Sequence, residues 1–356
     1  MGAQIGLPGL ISGLAASALV AVPVAGAFLW LGRWGQERSG RLFSAFAWGA
    51  SVAAFAAIWS EEALQRLADA AVSTDFGHWF RPLVITPFAE EVLKAIFLLW
   101  LVIYRRTRIT GLLEGIVYAG LVGAGFAFTE NILYLGKAMT VFAADASDAH
   151  AAGQLAATVL LRMVLLPFFH PLMVMVSATG IIAVVGERGR CARVGLALCA
   201  LLVAIALHGI WDWSGLVGSD PFLIFEIYGA LLVPVFLTML ILALVLRRRA
   251  GKMVAASLPA LARDGHIDPA EVSPLGSLVQ RRRWRKAVRR RRGRGAARAT
   301  ARYQAEASRL SIRATHAQAT GHGEDVLDDQ ARTVAEARAD LSMAIAATQG
   351  SVEQTV

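Results

Sequence analysis

Three charged residues interrupt an apolar segment that is otherwise typical of a membrane span. Glu90, Glu91 and Lys94 lie in the run from Pro87 to Trp100, whose other residues are almost all apolar. A charge at the centre of a bilayer costs at least about 2.5–3.5 kcal/mol on insertion scales, so such residues usually mark a functional site. Lys94 follows the glutamates by four and three residues, which places its side chain near both on a helix. The pattern indicates buried proton or ion chemistry.

Three other apolar segments also carry ionisable or polar residues. They contain Glu130 with Asn131, then His170, and then His208 with Asp212. On a helix, His208 and Asp212 share one face because they are four residues apart, so the carboxylate can orient the imidazole. We take Glu130, His170, His208 and Asp212, with the glutamate pair above, as the candidate site residues.

The composition indicates a membrane protein. Of the 356 residues, 56% are apolar and 17% are charged, whereas a soluble domain has about 45–50% apolar and about 25% charged residues. A disordered or secreted class is therefore excluded. We predict an all-α, polytopic membrane helix bundle with about seven transmembrane helices. They are predicted at about residues 8–31, 43–66, 83–104, 112–135, 156–185, 194–213 and 222–246.

Positive charge alternates between the predicted junctions, which predicts the orientation of the chain. Four junctions are rich in arginine and the intervening loops are poorer, which places the N-terminus outside and the C-terminus in the cytoplasm. No Lys or Arg precedes the first apolar segment, so we expect a first transmembrane helix and not a signal peptide. The arginines are Arg33, Arg38 and Arg41, then Arg105, Arg106 and Arg108, then Arg188, Arg190 and Arg193, and finally Arg247, Arg248 and Arg249.

This orientation places the candidate residues in the outer half of the membrane, with His170 deeper than the others, near the middle of its span. Glu90 lies about seven residues from the outer end of its span, roughly 10 Å into the membrane. Glu130 and His208 come at comparable distances from the outer ends of theirs, and Asp212 lies at the outer rim. Polar residues with separate structural roles need not agree in depth. A single water-filled cavity that opens outward explains the agreement.

The end of the chain differs from the rest in charge. From Arg247 onward there are 21 Lys and Arg and 11 Asp and Glu, which accounts for the net charge of +9 of the whole chain. We therefore divide the chain into a transmembrane domain, 1–250, and a basic cytoplasmic tail, 251–356, which is partly helical or disordered. The basic residues at 281–286 and 289–292 favour anionic lipids as a partner. Nucleic acid is the less favoured partner, because the transmembrane domain holds the tail close to the membrane.

Three short motifs follow one another along the predicted spans. They are Glu90-Glu91-x-x-Lys94, Phe126-x-x-x-Glu130-Asn131 and His208-x-x-x-Asp212. Together they resemble the PrsW family of intramembrane proteases, which is related to the CAAX prenyl endopeptidase and bacteriocin-processing group. That wider group has Glu-Glu-x-x-Arg, Phe-x-x-x-His and His-x-x-x-Asn, so Lys94, Glu130 and Asp212 depart from its pattern.

The resemblance implies hydrolysis of a peptide bond in a membrane-anchored protein, such as the site-1 cleavage of a single-pass anti-sigma factor on the outer side. By the same resemblance Glu90 is the general base, and Glu91 assists it or pairs with Lys94. His208, oriented by Asp212, either donates to the oxyanion or helps to hold the water, and Glu130 and His170 complete the water site. Whether the chemistry is of the glutamate type or that of a metalloprotease stays open at this point. Glu130, His170 and His208 are the candidate ligands if a metal is used, and zinc is the candidate metal.

Other functions are compatible with the same residues. Intramembrane Glu, His and Lys also build the proton relays of transporters, and a non-enzymatic scaffold can recruit partners through a basic tail. Each residue also has a structural interpretation. Glu91 and Lys94 can be a neutralising pair, Glu130 and Asn131 can join two helices, and Asp212 can be solvated at the interface.

Overall fold

The protein is described by a computed structural model, and every element among the described residues is helical. The described residues are 2–35, 39–105, 111–183, 190–217, 222–320 and 324–353. Arg38, Arg106, Arg108 and Arg188, which contributed to the predicted orientation, lie outside them.

The α-helices of the described residues are numbered in chain order. They are α1 (Gly2–Leu31), α2 (Ser39–Trp48), α3 (Ala54–Ala71), α4 (Thr74–Phe80), α5 (Thr86–Arg105), α6 (Leu112–Ala144), α7 (Ala149–Val159), α8 (Phe169–Ala183), α9 (Arg190–Val217), α10 (Leu223–Ile227), α11 (Val233–Arg263), α12 (Val272–Leu275), α13 (Leu278–Thr320) and α14 (Glu324–Glu353). Two short segments are 3₁₀-helical, Gly32–Trp34 and Pro269–Glu271. Four segments are π-helical, Gly49–Ala53, Arg81–Ile85, Leu160–Leu165 and Tyr228–Leu232.

Six helical stretches are long and apolar enough to cross a membrane, and the prediction of a polytopic helix bundle is confirmed. The predicted third span, 83–104, corresponds to α5 but is not among the six. Its 20 residues reach about 30 Å, but Glu90, Glu91 and Lys94 reduce its apolar character. The six stretches are Ile5–Trp34, Gly40–Ala71, Leu112–Ala144, Ala149–Ala183, Cys191–Gly215 and Leu223–Arg263.

The chain forms two compact units. The first contains Met1–Trp30 and Arg38–Ala243, and the second contains Leu31–Glu37 and Leu244–Val356. The predicted division at residue 250 falls inside α11. It stays a prediction, because it concerns the separate roles of the two parts.

Helix α6 lies at the centre of the first unit. All of residues 115–127 are buried, and α8 packs against both α6 and α9. A Cβ atom at Gly123 would lie 2.4 Å from the backbone nitrogen of Pro171, so this glycine allows α8 to approach α6 closely. Gly209 likewise allows α9 to approach the π-helical segment Arg81–Ile85 closely, since a Cβ atom there would lie 2.2 Å from the carbonyl oxygen of Leu83. These two contacts fix the positions of the neighbouring histidines, His170 and His208.

The second unit has a hydrophobic core of its own. Its helices α13 and α14 pack against each other, and Trp34 packs against the same core. The hydroxyl group of Tyr303 donates a hydrogen bond to the carboxylate of Glu271. The buried apolar residues of this core include Val254, Leu258, Leu261, Ile267, Leu275, Tyr303, Leu310, Val334 and Leu341.

The close contact at Gly123 leads to a stability prediction with a definite sign. Alanine favours a helix over glycine by up to about 1 kcal/mol, but overpacking against the backbone of Pro171 costs about 1–3 kcal/mol. We therefore expect Gly123→Ala to lower the melting temperature of the detergent-solubilised protein, measured by circular dichroism. Gly153→Ala is the control, because a Cβ atom there meets nothing within 4 Å. A Gly123→Ala protein as stable as the control would contradict this packing.

Candidate active site

Helix α5 carries a compact group of three charged side chains. The ammonium nitrogen Nζ of Lys94 lies 2.9 Å from Oε2 of Glu90 and 2.8 Å from Oε1 of Glu91. All three residues are buried, and the side chains of Glu91 and Lys94 are 0% exposed. The predicted neighbours on the helix therefore do form ion pairs, and one lysine serves both glutamates. A single cation leaves one negative charge of the pair for other partners to offset.

Helix α8 brings His170 to this group. Its Nδ1 atom lies 3.0 Å from Nζ of Lys94, and Lys94 has no acceptor, so the imidazole nitrogen accepts this hydrogen bond. Nε2 of the same ring then carries the proton and donates to Oε2 of Glu130 at 2.6 Å. The lone pair on Nδ1 of His170 consequently faces the centre of the group, and Glu130 holds the ring from the other side.

Helix α9 brings His208 to the group in a similar orientation. Its Nδ1 atom lies 2.8 Å from Oε1 of Glu91. Its Nε2 atom lies 3.4 Å from Oδ2 of Asp212 and 3.9 Å from Oε2 of Glu90. Both histidines thus direct Nδ1 towards the glutamates of α5, and each has an outer carboxylate beside Nε2. An outer carboxylate of this kind typically fixes the tautomer of a metal-binding histidine.

Arg162 is a site residue that the sequence analysis did not include. Its Nη1 atom donates to Oε2 of Glu130 at 2.7 Å, and its guanidinium group lies 3.9 Å from the ring centroid of Tyr134. Arg162 belongs to the π-helical segment Leu160–Leu165, and such segments often occur at functional sites. The signal was present in the sequence, since this is a positive charge inside a predicted apolar span. Arg162 stabilises the carboxylate that orients His170.

A cavity of about 1060 Å³ borders the charged group. Glu90 lies on its wall, whereas Glu91 and Lys94 do not and are packed behind it. Water in the cavity therefore reaches the first glutamate of the motif and not the second. Other polar residues on the wall are Glu61, Arg81, Thr86, Glu130, Tyr134, Lys137, Arg162, His170, His208 and Asp212.

The residues present fit a divalent metal ion. Ligand atoms of Glu90, Glu91, His170 and His208 all lie within 4.8 Å of one another. Oε2 of Glu91 is buried and has no hydrogen-bond partner, although a buried carboxylate oxygen normally has one. The ammonium group of Lys94 contacts three of these four residues, which shows that their lone pairs converge on a cation.

The converging group contains two of the three predicted metal ligands, His170 and His208. Glu130 is absent from it, because its Oε2 atom is engaged with Nε2 of His170 and with Arg162. The two glutamates of α5 take its place beside the two predicted histidines. Two of the three residues at which this chain departs from the wider motif pattern are Glu130 and Asp212. Their carboxylates lie behind the two imidazoles.

A family-level sequence model described as "PrsW family intramembrane metalloprotease" matches residues 37–244. The chain belongs to this family. The match covers more than half of the chain and includes every residue of the site described above. The protein is therefore a membrane peptidase, as the resemblance of its motifs implied, and the alternatives of a transporter and a scaffold are not supported. No curated protein and no solved structure matches the chain.

The carboxylates behind the imidazoles generate a prediction about metal affinity. We expect Glu130→Gln and Asp212→Asn each to weaken binding of a divalent transition metal by about 10–100-fold, because each variant loses the charge that orients an imidazole. The measurement is a competition titration of purified protein against a chromophoric chelator. Glu226→Gln, at an exposed position of α10, serves as the control. Unchanged affinity in both variants would contradict the orienting role, and complete loss of the ion in Glu130→Gln would indicate direct ligation instead.

Proposed function

We propose that this PrsW-family peptidase binds zinc through Glu91, His170 and His208 and uses Glu90 as a general base to hydrolyse a peptide bond in a single-pass membrane protein. One observation carries the proposal. Two imidazoles and two carboxylates from three helices converge at the wall of one cavity, with all four residues buried. Amide hydrolysis needs an activated water and a stabilised oxyanion, and the group provides for both.

Zinc suits the donor atoms. Catalytic zinc sites combine three protein ligands with one open position, and two histidines with one glutamate are a known set. The hydrogen-bonded network contains four carboxylates, but its only fixed cations are Lys94 and Arg162. With neutral imidazoles it therefore carries two excess negative charges, which one divalent ion offsets. Bound zinc would act as a Lewis acid and lower the pKa of a coordinated water.

Glu90 is the better general base of the two adjacent glutamates. It borders the cavity, whereas Glu91 is packed behind it. The contacts of its carboxylate with Lys94, His170 and His208 all involve Oε2, so Oε1 is left for a water molecule. In hydrolysis, Glu90 accepts a proton from this water and then delivers it to the leaving nitrogen.

Lys94 holds the base in position. In this structure its ammonium group donates to Glu90, Glu91 and His170. A metal ion held by Nδ1 of His170 would replace the third of these hydrogen bonds, and the lysine would keep the two to the glutamates. The ammonium group also lies 3.8 Å from the ring centroid of Phe126, the first residue of the second motif. The lysine thus fixes the carboxylate of Glu90 and offsets part of the charge of the two glutamates.

The distribution of arginine supports a cavity that opens to the outer side. The cavity wall includes the N-terminal end of α5 and the C-terminal ends of α6 and α9. Arg41, Arg105 and Arg193 lie near the opposite ends of their helices, and arginine-rich ends favour the cytoplasm. With α5 as a seventh crossing, this distribution supports an N-terminus outside and a C-terminus inside. A cut on the outer side suits site-1 cleavage of an anti-sigma factor, which is the substrate we propose.

The base can be tested with full-length protein and a single-pass anti-sigma factor from the same genome, co-reconstituted in liposomes. We expect Glu90→Gln to slow cleavage by about 100- to 10,000-fold, because the amide cannot accept the proton. Glu62→Gln is the matched control, since Glu62 is exposed and pairs only with Arg66. Mass spectrometry of the fragments should place the cut near the outer end of the substrate span.

Three outcomes would contradict parts of the proposal. Cleavage at the wild-type rate in Glu90→Gln would exclude it as the base. Activity that survives removal of metal by a chelator would exclude zinc and favour a glutamate-type mechanism. A cut at the cytoplasmic end of the substrate would reverse the proposed orientation.

A further inference from the structure

Several arginines of the second unit lie close together without acidic partners. The guanidinium group of Arg281 in α13 lies 5.1 Å from the ring centroid of Trp34. Burial lowers the pKa of both Arg285 and Arg281, and nearby like charges lower it further. These charges are Arg282 and Arg33, which is next to this tryptophan, for Arg285, and Arg285 for Arg281. The segment after α1 and the first turns of α13 therefore concentrate positive charge in one region.

Arg281 is an unusual member of this group because it is buried. Nε donates to the carbonyl oxygen of Leu275 at 2.7 Å, and Nη1 donates to that of Gln304 at 3.1 Å. Nη2 is buried and has no partner. Burial lowers the pKa of Arg281 to about 9, so the side chain is still a cation at pH 7. A buried cation that only neutral groups contact is costly unless an anion is nearby.

The described residues of the second unit place no carboxylate beside this cation. Within the described part of the chain, no carboxylate forms an ion pair with Arg33, Arg281 or Arg285. Arg285 hydrogen-bonds only to the side-chain oxygen of Gln304, at 2.8 Å. From residue 278 to residue 305 the sequence has twelve Lys and Arg and no Asp or Glu. Among the described residues, these arginines therefore have no carboxylate to balance their charge, which favours an external anion.

The positions of these arginines along the chain point to a membrane surface. Arg33 and Trp34 follow directly after α1, at the end of a candidate span. Arg247 comes directly after the apolar part of α11, and its Nη1 atom donates to the carbonyl oxygen of Leu31. Residues at the ends of spans lie at the depth of the lipid head groups, where arginine and tryptophan are common. A phosphate group is the anion found at that depth, and arginine binds phosphate in a bidentate manner.

We propose that Arg33, Arg281 and Arg285, together with Trp34, form a binding site for the phosphate group of an anionic phospholipid. Arg281 is held by backbone carbonyl groups and supplies a fixed charge. Arg33 and Arg285 are partly exposed and supply the N–H donors. Bound lipid would hold the start of α13 at the depth of the lipid head groups. This proposal does not depend on the peptidase mechanism.

The site can be tested by native mass spectrometry of the full-length protein in a neutral detergent. Phosphatidylglycerol and phosphatidylcholine are titrated separately, and the number of bound lipids is counted. We expect tighter binding of phosphatidylglycerol, weakened about 30-fold by the double variant Arg33→Gln/Arg285→Gln, since each basic residue near a lipid surface contributes about 1 kcal/mol. The double variant Arg33→Lys/Arg285→Lys keeps both charges and should recover most of the affinity.

The matched control is Arg294→Gln/Arg298→Gln, which removes two charges from exposed positions of the same helix. We expect it to change the affinity for phosphatidylglycerol less than about 3-fold, because salt screens the attraction of arginines that do not touch the bound lipid. Equal losses of phosphatidylglycerol affinity in the two Gln variants would overturn the proposed site, and so would equal binding of the two lipids by the wild type.

Inorganic phosphate that displaces the lipid at equal concentration would identify a free-phosphate site, and displacement by a short DNA duplex would identify nucleic acid. Either result would overturn the lipid assignment.

Discussion

The ion pairs of Lys94 with Glu90 and Glu91 are the interaction on which the rest of the first unit depends. Three charges on one helix lose their hydration on burial, and each ion alone would cost several kcal/mol. The cost is reduced only if neighbouring helices supply further donors and acceptors. The histidines of α8 and α9 do so, and the close contacts at Gly123 and Gly209 allow these helices to approach.

The arrangement separates two environments within a short distance. Behind the cavity wall, Glu91 is dry and fixed, which suits a residue that holds a cation, and Lys94 offsets part of the negative charge there. On the wall, Glu90 meets water, which suits a residue that exchanges protons. The outer carboxylates, Glu130 and Asp212, keep the two imidazoles turned inward. Two adjacent residues of one motif thus acquire different roles because they point in different directions from the same helix.

The sequence predicted the helical class and the family, whereas the depth of the site residues in the membrane stays a prediction. Helical periodicity gives the face and depth of a residue, so the meeting of His170 and His208 with Glu90 could be anticipated. Periodicity does not give the rotation of one helix against another. For that reason the sequence did not show that Glu130 lies behind His170, or that Arg162 contacts Glu130.

The central claim is that the two imidazoles and the glutamates of α5 form one metal centre. X-ray absorption spectroscopy of the zinc-loaded, full-length protein tests it most directly. The account predicts nitrogen and oxygen ligands at about 2.0–2.2 Å, with the scattering pattern of two imidazoles and without sulfur. A sulfur shell at about 2.3 Å would place the zinc on the exposed cysteines, Cys191 and Cys199. That result, or a spectrum without imidazole scattering, would contradict the account.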